Sequence, residues 1–160
     1  MPRVLVLFLD GVGLGSSDPE RNPLAAAPMP ALRRLLGGQG LEAHRVPYEG
    51  PQATLLALDA TLGVGGLPQS ASGQAVLLTG RNLPRELGGH YGPKPSPAIA
   101  HALAADSIFH EVVRRGGRAA LLNAYPPRYF AAIARRYRMY SAIPMAVDAA
   151  GIALMTSDDL

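Results

Sequence analysis

An uninterrupted apolar run near the amino terminus, Val4 to Leu9, constrains the fold more than any other feature of this sequence. Continuous apolar character with β-branched residues at alternate places is typical of a strand covered on both faces, as central strands of parallel sheets are. The run is too short to cross a bilayer, which needs roughly 20 residues. We therefore predict a buried parallel strand over residues 4–9 that ends abruptly at Asp10.

Alternating helix and strand patterns follow this run. Glycine pairs and prolines mark where the predicted elements begin and end. Helices are predicted over residues 28–36, from 69 or 70 to 79, and over 108–115, 126–137 and 143–150, and further strands over 54–58 and 118–123. Residues 81–97 are rich in glycine and proline, which predicts an extended irregular loop. This order predicts an α/β layered fold with a largely parallel sheet between helices, as a single domain over residues 1–160.

Composition narrows the classes of function. The chain has 160 residues, about one domain's worth, and its 48% hydrophobic content excludes wholesale disorder. The formal charge of +3 comes from scattered arginines, with Lys94 the only lysine, so we expect no nucleic-acid partner. Cysteine is absent, and the sequence shows neither a leader pattern nor a membrane-spanning run. We therefore expect a cytoplasmic protein without a membrane partner.

Two polar residues stand where reactive groups gather in α/β proteins. Asp10 follows the predicted first strand, and ligands of open sheets bind at the carboxyl ends of the strands. Ser70 opens the predicted helix 70–79, whose N-terminal N–H groups can hold an anion. Each has an ordinary alternative, because Asp-Gly is a common turn and serine is a preferred N-cap, for which Ser72 competes. Together they predict a polar site that faces a metal and a phosphate.

Three pieces of the sequence resemble the alkaline phosphatase superfamily, within it the metalloenzyme branch that includes cofactor-independent phosphoglycerate mutase and phosphopentomutase. The pieces are Leu7-Phe8-Leu9-Asp10-Gly11-Val12-Gly13, then Asn22 with Pro30 and Leu32, and finally Gly66-Leu67-Pro68-Gln69-Ser70 through Thr79-Gly80-Arg81-Asn82. The resemblance covers residues 3–82, with a weaker likeness through 119–127.

The resemblance implies roles for particular residues. In that family the first Asp binds one of two metals, and the Ser or Thr ten residues before the closing glycine of the helix carries the phosphoryl group. Counting back from Gly80 gives Ser70 as nucleophile and metal ligand, with Asp10 as a metal ligand. Gln69 stands where relatives often have Asp or Asn, and we include it among the candidates for substrate binding. The implied cofactor is a pair of divalent ions, Mn or Zn with Mg as a further option, and the implied substrate is a small-molecule phosphate ester.

The family's metal site has a part without a counterpart here. Family members complete it with further Asp and His residues, typically including an Asp-His pair, and no such pair occurs in this sequence. We therefore expect the amino-terminal part of a phosphomutase or phosphohydrolase, inactive as these 160 residues. The alternative is a non-catalytic phosphate- or metal-binding module or a scaffold. A truncated parallel sheet would expose an edge, so a homo-oligomer is one expected arrangement.

Four other polar residues are candidates for substrate binding. Asn22 matches an asparagine near the family's site, although Asn-Pro is also an ordinary turn. Arg81 and His90 flank the irregular loop 81–97, which we expect near the site, and an exposed arginine is the simpler interpretation of Arg81. Asn123 stands at the carboxyl end of a predicted strand, where it reaches substrate or only caps the strand.

A dinucleotide-binding domain is a further alternative, since Gly11, Gly13 and Gly15 follow a predicted strand. Their spacing is Gly-x-Gly-x-Gly, however, and not the Gly-x-Gly-x-x-Gly fingerprint. A serine hydrolase is disfavoured, because neither Ser70 nor Ser72 lies in a Gly-x-Ser-x-Gly elbow.

Overall fold

The chain divides into two compact units, Met1–Asp59 and Ala60–Leu160. The computed structural model describes residues 3–159. Helices and short strands occur in both units, so the general prediction of a mixed α/β protein is confirmed. The single domain expected over residues 1–160 stays a prediction. None of the helices within residues 3–159 has the length and apolar character that spanning a bilayer requires.

The first unit holds two short helices and one small sheet. Helix α1 spans Pro23–Ala26 and helix α2 spans Pro30–Leu35, while β1 (Tyr48–Glu49) pairs antiparallel with β2 (Thr54–Leu55). A proline opens each helix, where its missing N–H costs nothing. The predicted end of α2 before Gly37-Gly38 is confirmed, and the predicted strand 54–58 is confirmed only in its first two residues.

The predicted buried strand over residues 4–9 is wrong in this structure. These residues form no strand, and their side chains are exposed, with Val4 85% and Val6 76% accessible. A strand needs a neighbouring backbone for its hydrogen bonds, and a doubly covered strand also needs layers on both faces. The apolar run supplies neither by itself, so its pattern alone could not fix its conformation.

The second unit is mainly helical. Its helices are α3 (Ser70–Thr79), α4 (Leu83–Leu87), α5 (Pro97–Ala105), α6 (Ile108–Arg114), α7 (Pro127–Ala134) and α8 (Ala142–Ala149). Strands β3 (Ala124–Tyr125) and β4 (Met155–Thr156) form a parallel pair, followed by a 3₁₀ turn over Ser157–Asp159. The helix predicted from residue 69 or 70 to 79 is confirmed and begins at Ser70, and those near 108–115, 126–137 and 143–150 are confirmed with ends shifted or shortened.

Two predictions in this unit need correction. The segment 118–123 is not a strand, and only the two residues after it pair with β4. The segment 81–97 contains helix α4, which Asn82 caps by accepting a hydrogen bond from the Arg85 N–H at 3.1 Å. Among residues 3–159 both sheets are two-stranded, so the large parallel sheet predicted between helices is not formed.

The core of the second unit lies between α3, α5 and α8. Ala75 on α3 and Ala142 and Ala146 on α8 are fully buried, and these small side chains let the helices approach closely. Ile99 and Leu103 on α5 fill the remaining space and are also fully buried. This core fixes the direction of α3 and therefore the place of its first residue, Ser70.

Candidate functional site

The site centres on the N-terminus of α3. Gln69 is the N-cap residue and has an extended backbone, but its side chain makes no capping hydrogen bond. Ser70 is the first helical residue. The helix ends at Gly80, whose left-handed backbone (φ 70°) suits glycine and whose N–H donates to the Val76 carbonyl at 2.8 Å. Well-defined ends and the buried face at Ala71 and Ala75 hold Ser70 in a fixed position.

Ser70 and Ser72 both lie in the first turn of α3, and their hydroxyls have different contacts. Ser72 is fully buried, donates its hydroxyl hydrogen to the Gln69 carbonyl at 3.3 Å, and accepts from the Tyr91 N–H at 3.0 Å. Ser70 is half-buried, and its hydroxyl makes no hydrogen bond with any residue of the described chain. Ser72 therefore anchors a loop, while the hydroxyl of Ser70 is available to a ligand.

Backbone amides beside Ser70 are also available. In the first turn of α3 the Ser72 N–H donates to the Tyr91 carbonyl at 2.9 Å and the Gly73 N–H donates to the Gln69 carbonyl at 2.9 Å. The N–H groups of Ser70 and Ala71 have no acceptor within residues 3–159. The positive end of the helix dipole adds to these donors, so the position favours an anion such as a phosphate.

The segment 90–92 packs across this end of the helix. A Cβ on Gly92 would lie 2.9 Å from the Gln69 Cβ and 3.2 Å from the Ser70 nitrogen, so a side chain there would press on the start of α3. His90, two residues earlier, is half-buried and its Nε2 lies 3.3 Å from the Val64 carbonyl oxygen. The structure thus brings Gln69, Ser70 and His90 into one neighbourhood. Sequence reasoning missed Gly92, because a glycine in a loop gives no sign of its distant contact.

Arg81 and Asn123 are not drawn into this neighbourhood by any described contact. Arg81 lies beyond the opposite end of α3, and the helix axis from Ser70 to Thr79 is about 14 Å long at the usual helical rise. It pairs with Glu86, with Nε 3.2 Å from Oε1, and this hydrogen bond and the carboxylate charge raise the pKa of Arg81. Asn123 is exposed and directly precedes β3. Their assignment to substrate binding stays a prediction.

Asp10 and Asn22 belong to the first unit. Asp10 is exposed in the turn that follows residues 3–9. Asn22 is 7% exposed and caps α1, where its Oδ1 accepts from the Leu24 N–H at 3.1 Å and its Nδ2 donates to the Ser16 carbonyl at 2.6 Å. Both ends of the Asn22 amide are used within the fold, which favours the turn interpretation of Asn-Pro.

The histidines differ in what their rings contact. His110 uses both nitrogens, with Nδ1 2.9 Å from the Ser107 hydroxyl and Nε2 3.2 Å from the Ala149 carbonyl. His44 lies 3.6 Å from a Glu42 carboxylate oxygen, and His101 is exposed on α5. Within the part of the chain that the structure describes, no three His, Asp or Glu side chains form a group that could hold a metal. These residues alone therefore do not fit the complete two-metal site that the resemblance implies.

No family model, curated protein or solved structure in the three comparisons matches this chain.

Proposed function

We propose that this chain is the amino-terminal part of a metal-dependent phosphoryl-transfer enzyme, of phosphomutase or phosphohydrolase type, and that the complete enzyme has an alkaline-phosphatase-like fold. Ser70 is the nucleophile and the substrate is a small-molecule phosphate ester. One observation carries the proposal: the hydroxyl of Ser70 and the N–H groups of Ser70 and Ala71 lie together without acceptors or donors from the described chain. A nucleophile and an anion cradle at one helix N-terminus are what phosphoryl transfer needs.

The chemistry that these residues support is an in-line displacement. The Ser70 hydroxyl gives up its proton as its oxygen bonds to phosphorus and the bond to the ester oxygen breaks. The ester oxygen leaves with the electron pair and takes up a proton, so no proton is gained or lost overall. The N–H groups of Ser70 and Ala71 hydrogen-bond to the non-bridging oxygens, where negative charge is concentrated. The phosphoryl group then passes from Ser70 to an acceptor. The acceptor is water in a hydrolase and a substrate hydroxyl in a mutase.

Divalent metal ions would lower the cost of forming the serine alkoxide and of gathering phosphate charge. Asp10 is the ligand of this chain that the resemblance implies, together with Ser70 itself. Under the proposal the remaining ligands come from residues outside these 160. Asp10→Asn should therefore lower the affinity for Mn²⁺ or Zn²⁺, so that more metal is needed for the same activity, without changing the circular dichroism spectrum.

The direct test is to look for a phosphoryl group on Ser70. The protein expressed from its complete gene is incubated with p-nitrophenyl phosphate and Mn²⁺, quenched in acid, and analysed by intact mass and peptide mapping. We expect one added phosphoryl group on the peptide that contains Ser70. Ser70→Ala should abolish it, and Ser70→Thr, which keeps a hydroxyl, should retain it. Undiminished turnover in Ser70→Ala would refute the nucleophile assignment.

A non-catalytic phosphate-binding module is the second candidate. It is favoured by the open amides at α3, which can hold a phosphate without any reaction. In that case inorganic phosphate should shift the amide resonances of Ser70 and Ala71, while the mass experiment shows no covalent product in the wild-type protein.

A further inference from the structure

An open pocket of about 420 Å³ lies in the second unit, and its lining does not include Ser70. It is formed where β3 meets the start of α7 and where the chain returns after α7. Its lining consists of Tyr125, Pro126, Arg128, Tyr129, Ala132 and Arg138. The volume is within the range of pockets that bind small molecules, about 300–1,000 Å³.

Aromatic rings give this pocket an ordered wall. The rings of Tyr125 and Tyr129 stack with centroids 4.4 Å apart and planes 17° from parallel. Phe130 meets Tyr129 edge-on at 5.5 Å, which fixes the stacked pair from the side. The Arg138 guanidinium carbon lies 4.9 Å from the centre of the Tyr129 ring, a cation–π contact that positions its charge.

The two pocket arginines lack acidic partners in the described chain. Neither Arg128 nor Arg138 has a carboxylate within 4.0 Å, whereas Arg114 and Arg115 on α6 both pair with Glu111. Residues 124–141 contain no Asp or Glu at all. A positive charge held in place by an aromatic contact and left without a counter-ion is a site where an anion is stabilised.

Lys94 strengthens this local positive charge. Its ammonium group donates to the Met139 carbonyl at 3.0 Å, next to Arg138 in the chain. Burial and the charge of Arg138 both lower the pKa of Lys94. Asp148 acts on Tyr140, whose pKa it raises together with burial, and forms no ion pair with either pocket arginine. An anion bound near Arg138 would relieve the repulsion between the cations.

We propose that this pocket binds a phosphate monoester that carries a planar ring, as a mononucleotide does, with the phosphate on Arg128 and Arg138 and the ring against the tyrosine wall. Arginine's planar fork matches phosphate oxygens with two parallel hydrogen bonds, and aromatic side chains stack on bases. The hydroxyls of Tyr125 and Tyr129 make no hydrogen bond among residues 3–159, so they are further donors. Burial raises the pKa of both tyrosines, which keeps these donors protonated at neutral pH.

The site goes beyond the proposed phosphoryl transfer and stands or fails separately, because its test measures binding and leaves Ser70 unchanged. Adenosine 5′-monophosphate is titrated into the purified protein, and binding is followed by calorimetry and by tyrosine fluorescence. Ribose 5-phosphate and adenosine are titrated in parallel. We expect the mononucleotide to bind at least about tenfold more tightly than either half, since each half uses only one part of the pocket.

Matched variants assign the contacts. Arg128→Gln should weaken mononucleotide binding about tenfold or more, the cost of one hydrogen bond to a charged group. Arg135→Gln removes the same charge from the end of the same helix but does not line the pocket, and it should change binding less than twofold. Arg138→Gln should match Arg128→Gln, with circular dichroism confirming that its loss of the contact with Tyr129 leaves the fold intact.

Three outcomes would overturn the inference. The first is no detectable binding of the mononucleotide at millimolar concentration. The second is equal weakening by Arg128→Gln and Arg135→Gln, which would indicate diffuse attraction of charge. The third is affinity for single-stranded oligonucleotides that rises steadily with their length, which would indicate an extended nucleic-acid surface in place of a small-molecule pocket.

Discussion

Two apolar stretches of this molecule have opposite surroundings. Residues 4–9 are exposed, with Leu5 79% accessible, whereas Leu103 in the middle of α5 is fully buried. The difference does not come from hydrophobicity, because both positions are leucine. It comes from the backbone: α5 satisfies its hydrogen bonds internally and can present one face to α3 and α8, while residues 4–9 depend on partners elsewhere in the chain.

The contrast shows which contacts make this chain stable as it stands. Short-range bonds form each helix, and long-range packing between α3, α5 and α8 gathers the helices into a core. Where packing partners are missing, as at residues 4–9, the apolar pattern of a segment adds no stability to the fold. Side-chain substitutions at matched positions test this distinction.

The largest effect is expected at Leu103. Leu103→Ala should lower the free energy of unfolding by about 2–5 kcal/mol, because it leaves a cavity in a close-packed core. Leu5→Ala is the matched control and should change it by less than about 0.5 kcal/mol, as surface substitutions do. Urea unfolding followed by circular dichroism measures both. A cost at Leu5 as large as that at Leu103 would show that residues 4–9 are buried in the folded protein.

The same distinction explains how much could be predicted from sequence. The end of α3 follows from Gly80, which is a local signal, and was predicted correctly, and its start at Ser70 is one of the two residues predicted, Gln69 or Ser70. The strands at 4–9 and 118–123 were predicted wrongly, because strand formation depends on neighbours that no local pattern specifies. The roles of Ser70 and Ser72 could not be told apart either, since the group that engages Ser72 is Tyr91, nineteen residues along the chain.

The pocket at α7 illustrates a signal that was present and not used. Tyrosines and arginines interleave through residues 124–141 without an acidic residue, and this pattern is typical of a surface that binds anions and rings. The pattern does not stand out because arginines are scattered over the whole chain. The contact between Arg138 and the Tyr129 ring, in contrast, depends on the turn after α7 and only the structure shows it.

Ser72 and Ser70 differ in the same way at the level of single hydrogen bonds. Ser72→Ala should cost about 1–3 kcal/mol of unfolding free energy, because it leaves the Tyr91 N–H without its acceptor next to a fully buried side chain. Ser70→Ala is the matched control, because it makes the same change in the same turn of α3, and it should change stability by less than about 0.5 kcal/mol. Thermal and urea unfolding measure both variants. Equal costs would mean that the Ser70 hydroxyl is also engaged within the fold.

Two capping asparagines extend the test to both units. Asn82 caps α4 and donates its Nδ2 to the Leu62 carbonyl at 3.0 Å, as Asn22 caps α1 and donates to Ser16. Each Asn→Ala variant should lose about 1 kcal/mol of stability from the cap. Asn82→Ala should cost more, because the Asn82 side chain also holds Leu62, which is twenty residues away in the chain. Asn22 holds Ser16, which is only six residues away. Hydrogen exchange at the Arg85 and Leu24 amides locates each effect, and faster exchange at Leu24 than at Arg85 would reverse the expected order.

The smallest effect is expected at Asp159, an exposed residue held by contacts three residues away. Its carboxylate accepts from the Thr156 N–H at 2.6 Å and from the Thr156 hydroxyl at 3.0 Å, and these bonds lower the pKa of Asp159. A carboxyl whose pKa is lowered on folding stabilises the turn above its unfolded value of about 3.9 and loses that effect as the pH falls through the lower, folded pKa. The Thr156 amide resonance should therefore titrate with a midpoint below about 3.9, and Asp159→Asn should abolish that transition. Because the contact is local and solvated, Asp159→Asn should change the unfolding free energy at neutral pH by less than about 0.5 kcal/mol. A midpoint at or above the unfolded value would show that the Thr156 bonds do not persist in solution.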